Sequence, residues 1–119
     1  MQKFNFSYDK ENDDLFLFNP AAKSKGSVEF GGIVLDYGTK KELVGLQIMN
    51  AAKLIKDLVD VDAAEIKALL NNLKECKLDV KSKNNALIIK LHLSSAIKEI
   101  APVLFVPSIQ EQSPALAYA

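Results

Sequence analysis

Hydrophobic and polar positions alternate at the start of the chain. In residues 3–8, KFNFSY, Phe4, Phe6 and Tyr8 fall on one side and Lys3, Asn5 and Ser7 on the other. That period of two predicts a half-buried strand. DKEND then reads as a polar turn, because Asp and Asn tie down their own backbone. Residues 15–18, LFLF, are apolar at every position, which predicts a strand covered on both faces. NPAAKSKG, residues 19–26, is a loop, and a short strand follows at 27–30. After the Gly31-Gly32 break, IVLDY at 33–37 is again apolar on both faces apart from Asp36. GTKKE turns the chain, and LVGLQIM at 43–49 returns as the next strand.

The period then changes to 3.6. Asn50 is placed to cap a helix with Leu54, Ile55, Leu58 and Val59 along one face. Asp62 and Glu65 have capping-box spacing ahead of a second stripe, Ile66, Leu69, Leu70 and Leu73. Cys76 is expected to end that helical segment as a small core residue. Alternation resumes in KLDVKS, and KNN turns the chain into ALIIKLHL, where Leu87, Ile89, Leu91 and Leu93 share a face. Residues 95–100 are expected to form a helical turn. VLFV at 103–106, between Pro102 and Pro107, suits an edge strand.

The fold class this implies is α+β: an antiparallel β-meander, two short helices, then a second β-hairpin, in a single domain. Its expected bounds are 1–110, with the meander at 1–52, the helices at 50–73 and the hairpin plus edge strand at 74–107. Residues 108–119 carry no pattern and are expected to be a loose tail. Two short helices cover about one face of a small sheet. The other face of the doubly apolar strands must meet the second hairpin or another subunit, and Phe16, Phe18 and Val34 are the candidate interface residues.

Composition narrows the chemistry. The chain has 119 residues, 49% of them hydrophobic and 25% charged, an ordinary globular balance. A domain of this size buries roughly 65% of its unfolded surface, enough for an independent core. Fifteen Lys balance fifteen acids, and there is no Arg and no Trp. Without Arg there is no planar fork for bidentate phosphate or guanine contacts. The single Cys excludes an internal disulfide and a cysteine-rich metal site, and suits a cytoplasmic protein. The amino terminus lacks the apolar core of a signal peptide, and no apolar run is long enough to span a membrane.

One segment has a recognisable order of motifs. Tyr8-Asp9 and Asp13 precede the strand Leu15-Phe16-Leu17-Phe18. Gly32 leads into Ile33-Val34-Leu35-Asp36-Tyr37, then Leu43-Val44-Gly45-Leu46 and Ile48, and Asn50-Ala51 closes the series. Residues 6–52 thereby resemble the YuzE-like family, small domains of unknown function. This chain departs from the family pattern at Gly38, where an acid is usual, at Gln47, where Glu is common, and around Phe18, which lacks the usual basic residue. The resemblance implies a small β-meander followed by a helix and no known activity. Some members have the profile of antitoxin-like partners, so it also implies a protein partner.

Three sets of residues are candidates for function. Asp36, before a glycine turn, is expected to accept backbone N–H bonds and order that turn. The alternative is a small metal-binding protein or enzyme that uses it together with Asp9 and Asp13, since three carboxylates at one sheet end suit Ca²⁺ or Mg²⁺. His92, the only His, has no evident partner and is expected on an outer face, and no Ser or Cys sits in a nucleophile elbow. Lys74, Lys77, Lys81, Lys83 and Lys90 gather around the hairpin at 74–90, the surface a nucleic-acid binder would use. Zero net charge and few outward aromatics disfavour that reading. There is no glycine-rich phosphate loop. The expected role is therefore a non-enzymatic protein-interaction module acting as a homodimer, without a cofactor.

Overall fold

The alternating segments become strands of one antiparallel sheet in the computed structural model, which describes residues 1–107. In chain order the elements are β1 (Gln2–Asp9), β2 (Asp14–Phe18), β3 (Gly26–Phe30), β4 (Ile33–Tyr37), β5 (Leu43–Ile48), α1 (Ala51–Leu58) and α2 (Ala63–Asn71). They continue with β6 (Leu73–Lys83), β7 (Ala86–Ser95), β8 (Glu99–Ile100) and β9 (Val103–Pro107). The sheet runs β3-β4-β5-β2-β1-β6-β7-β8, and β9 also pairs with β7. The expected α+β class and meander–helices–hairpin order stand, in a single domain.

β1 joins the two halves. Its residues Asn5–Asp9 pair with β2, while Gln2–Phe4 pair with Leu78–Cys76 of β6. One strand thus belongs to the meander and to the second hairpin, and the sheet curls around a single core. Phe4, Leu15, Leu17, Leu35, Leu46 and Ile48 share that core with Leu78, Ile89, Leu91 and Leu93 and with Ile55 and Ile66 of the helices. The second hairpin therefore covers the inner face of the meander from within the chain. Across the opening, the β3–β4 turn, Leu54 and Leu58 of α1, and β9 line one groove of about 330 Å³.

Several expectations are corrected. LFLF and IVLDY are not covered on both faces: Leu15 and Leu17 are buried, whereas Phe16 and Phe18 remain 37% and 40% exposed. Because successive side chains point to opposite faces, one layer of helices and hairpin buries only every second residue. Cys76 lies within β6, since strand pairing with β1 and β7 begins directly after α2. Residues 95–100 form a tight turn and the short strand β8, because Leu93 and Ser94 find strand partners in Ile100 and Glu99. The loose tail expected at 108–119 lies outside the described residues.

Candidate interaction surface

The carboxylates of the motif are bound locally. Asp13 ends the β1–β2 turn with φ of 56°, in the left-handed region that Asp tolerates better than most residues. Its carboxylate accepts the Tyr8 hydroxyl at 2.5 Å and the Ala52 N–H at 3.0 and 3.1 Å. Its carbonyl accepts the Ala51 N–H at 2.8 Å. Two of the four unpaired donors at the start of α1 are thus satisfied from the turn of the sheet's first hairpin. Asn50 occupies the N-cap position in a left-handed conformation and makes no side-chain cap bond, so the expected cap is replaced by Asp13. Burial, then the hydrogen bond to Asp13, raises the Tyr8 phenol well above its ordinary value.

Asp9 closes its own turn. Its carboxylate accepts the Glu11 and Asn12 backbone N–H groups and the Asn12 side-chain amide, and the bonds from Asn12 hold its pKa below the usual range. Asp36 does not order the turn after it. Its hydrogen-bond partner is the Ser27 hydroxyl at 2.5 Å, directly across from it in the β3–β4 register. The carboxylate lies over Gly45, where a Cβ would stand 2.8 Å from Asp36 Oδ2. The turn itself is tied by Glu42. Its carbonyl accepts the Gly38 N–H and its carboxylate accepts the Lys40 N–H. The same carboxylate fills the space above Gly38, so the departure from an acid at that position makes room for Glu42.

The three acids are not brought together. Asp36 is level with Gly45 and Phe18, while Asp13 lies beyond the other end of β2. Five residue steps along extended strand separate those levels, roughly 17 Å. Among the described residues no group of three potential metal ligands converges.

The outer face of the meander is one of the exposed apolar surfaces; Phe30, Leu58 and Phe105 are exposed elsewhere. Reading across the sheet, Ser7, Phe16, Gln47, Val34 and Glu29 form one row, and Asn5, Phe18, Gly45, Asp36 and Ser27 the next. Phe16 and Phe18 stand side by side on β2 at the centre of it. Val34 is half-buried beside them. The glycine at 45 leaves the Phe18 ring without a neighbouring side chain on β5.

The remaining candidates have ordinary surroundings. His92 is mostly buried on β7 and is not without a partner: its Nδ1 lies 3.6 Å from Glu99. The Cys76 thiol is fully buried and is pushed up to about 12 by burial and then by the Glu75 charge, which leaves it protonated and unreactive. Lys77 and Lys3 both reach Glu75, at 3.4 and 3.7 Å, and Lys90 faces Asp79 across the hairpin. Lys74 is the extra residue where the β6–β7 register shifts between Leu73 and Glu75.

A protein family described as "Protein of unknown function (DUF2283)" matches residues 5–51. An uncharacterized protein of Methanocaldococcus jannaschii is 35% identical over 100 residues, spanning 82% of this chain and 80% of that protein. The chain belongs to this family of unknown function. The matched segment is the one on which the YuzE-like resemblance rests, and the structure shows what its motif builds: Tyr8 and Asp13 reach forward to the helix start at Ala51-Ala52. A Methanosarcina mazei protein named "Putative hypoxanthine phosphoribosyltransferase" is 27% identical over 93 residues, 78% of this chain and 71% of that one. No solved structure matches the chain.

Proposed function

We propose that this chain is a non-enzymatic interaction module that works as a homodimer through the outer face of its meander. The observation that carries the reading is the pair of exposed rings, Phe16 and Phe18, centred on a sheet face whose other large side chains are polar. Exposed aromatics of this kind mark interfaces more than they mark catalysis. The motif's acids support it too, because Asp9, Asp13 and Asp36 each have a local hydrogen-bonding task. The resemblance to the YuzE-like family, some of whose members have an antitoxin-like profile, belongs to the same reading.

The face is complementary to itself in charge. Glu29 and Asp36 lie on the β3–β4 flank and Lys3 on the β1 flank, with β2 between them. A two-fold axis parallel to β2 would set each copy's acidic flank over the other's Lys3. A perpendicular in-plane axis would set acid on acid. The first arrangement is favoured, and it buries all four Phe rings against one another.

The activity in the name of the Methanosarcina protein is not carried over. In this chain the start of α1 already faces the Asp13 carboxylate, and α2 begins at Asp62 with Glu65 in its first turn. Both helix ends are thus negatively lined, the reverse of a phosphate site.

Charge reversal tests the assignment. Lys3→Glu and Asp36→Lys chains should each dimerise poorly and should form a mixed dimer when combined, as seen by native mass spectrometry. Undiminished self-association of both single variants would sink the proposed face.

A further inference from the structure

Between α2 and the turn joining β7 to β8 lies an open cleft of about 520 Å³, within the range of sites that hold small molecules. One wall is a single helix face: Glu65, Ala68, Leu69 and Asn72 follow one another at helical spacing. The opposite wall is the turn, and it is firmly built. The Ser95 hydroxyl accepts the Ile97 and Lys98 N–H groups, and the Ser95 N–H donates to the Lys98 carbonyl at 2.8 Å. Lys98 Nζ then spans the cleft to Glu65 Oε2 at 2.6 Å, holding turn and helix at a fixed separation.

Two features point to an occupant. Ile97 is 96% exposed at the lip of the cleft, an apolar side chain that none of the described residues covers. Lys74 is at the other lip, set there by the register shift at the start of β6. Bulges of this kind re-aim one side chain. The cleft therefore has an apolar wall of Ala68 and Leu69 with Ile97 at its lip, and two ammonium groups, Lys74 and Lys98, against one carboxylate, Glu65.

We infer that this cleft binds a small amphipathic carboxylate, an apolar body of medium-chain length with one anionic head. The head pairs with Lys74, since Glu65 already holds Lys98, and the body covers Ile97 and lies along Ala68. The short side chains of Ala68 and Ala96 leave the room for it. The site is independent of the dimer face, which lies on β2, so failure of either assignment leaves the other intact.

Octanoate is the probe, with octan-1-ol as the uncharged control, followed by amide shifts of the full-length ¹⁵N-labelled protein. Octanoate should give saturable shifts at residues 65–74 and 95–98, and should bind about tenfold or more tighter than the alcohol, the ratio one charged contact supplies. Lys74→Gln should bring octanoate to the level of the alcohol. Ala68→Phe should abolish binding by filling the cleft, and Ala96→Phe does the same from the opposite wall should the first variant fail to fold. Four results would overturn the inference: shifts that never saturate, equal binding of acid and alcohol, binding that survives both Phe variants, or shifts at 65–74 that follow protein concentration without ligand. The last would mean that a second copy occupies the cleft.

Discussion

Asp13→Gly should cost about 2–3 kcal/mol of stability, and the figure follows from what Asp13 holds. Its carboxylate satisfies the Ala52 N–H, on a residue only 1% exposed, and the half-buried Tyr8 hydroxyl. Loss of a helix N-cap costs about 1 kcal/mol. A buried donor left unpaired adds about 1–3 kcal/mol, and hydrogen bonds to a charged acceptor lie toward the upper end. Glycine is the informative substitution because φ at this position is 56°, so it removes the side chain without backbone strain. Alanine would add about 1 kcal/mol for the left-handed conformation. Asparagine tolerates that conformation and keeps an acceptor, so it should cost about 1 kcal/mol. The predicted order of stability is wild type, Asn, Gly, Ala. For a chain of 119 residues, 2–3 kcal/mol corresponds to a fall of about 8–12 °C in melting temperature. Urea denaturation followed by circular dichroism gives the energies, and amide exchange at Ala51 and Ala52 localises the loss to the start of α1. Equal stability of the Gly variant and wild type would refute the reasoning. So would a loss that leaves the Ala52 amide as protected as before.

Three further outcomes follow from single contacts. Gly45→Ala should destabilise by about 1 kcal/mol, because its Cβ meets the Asp36 carboxylate that Ser27 holds in place, and adding Asp36→Ala should recover most of the loss in a double-mutant cycle. Tyr37→Phe should raise the melting temperature, by about 4 °C for about 1 kcal/mol, since the buried Tyr37 hydroxyl has no hydrogen-bond partner among the described residues; a lower melting temperature would show that the hydroxyl has one. Stability should fall as pH rises past 10: burial and Asp13 raise the Tyr8 phenol above its ordinary 10.0, so the unfolded chain ionises first and the fold's advantage, complete below pH 10, is progressively lost. Burial acts on Tyr37 in the same direction, so Tyr8→Phe should flatten the denaturant midpoint between pH 9 and 11 only in part.

The periodicities were enough to read both helices and every strand but β8 and the first residues of β6, because the core is built largely from alternate residues of the strands and a single stripe of each helix. What they could not convey is which partner a polar side chain meets across the fold. Asn50 has the right residue type for a cap, yet Asp13, thirty-nine positions before Ala52, does the work. The signal was present in the order Tyr8, Asp13, Asn50-Ala51, but only the β1–β2–β5 register turns that order into a contact. Asp36 was misread for a related reason. A carboxylate next to a glycine turn is drawn to local N–H groups, whereas in an extended strand its side chain points to the face and meets Ser27 on the neighbouring strand. The doubly apolar strands misled about cover. Their outward Phe16 and Phe18 are unprotected in the single chain, and that mismatch between pattern and burial is the basis of the proposed dimer. The cleft at α2 was not legible at all, since Lys74 reaches it through a register shift and Lys98 through a turn.

Sedimentation equilibrium of the wild-type chain beside Phe16→Ser/Phe18→Ser is the most direct test of the dimer. The chain mass is 13.1 kDa, so the wild type should reach twice that, 26.2 kDa, as its concentration rises. The double variant should stay at the single-chain mass while melting within about 1 kcal/mol of wild type, as exposed positions do. A wild-type chain that remains at 13.1 kDa throughout the micromolar range would contradict the account.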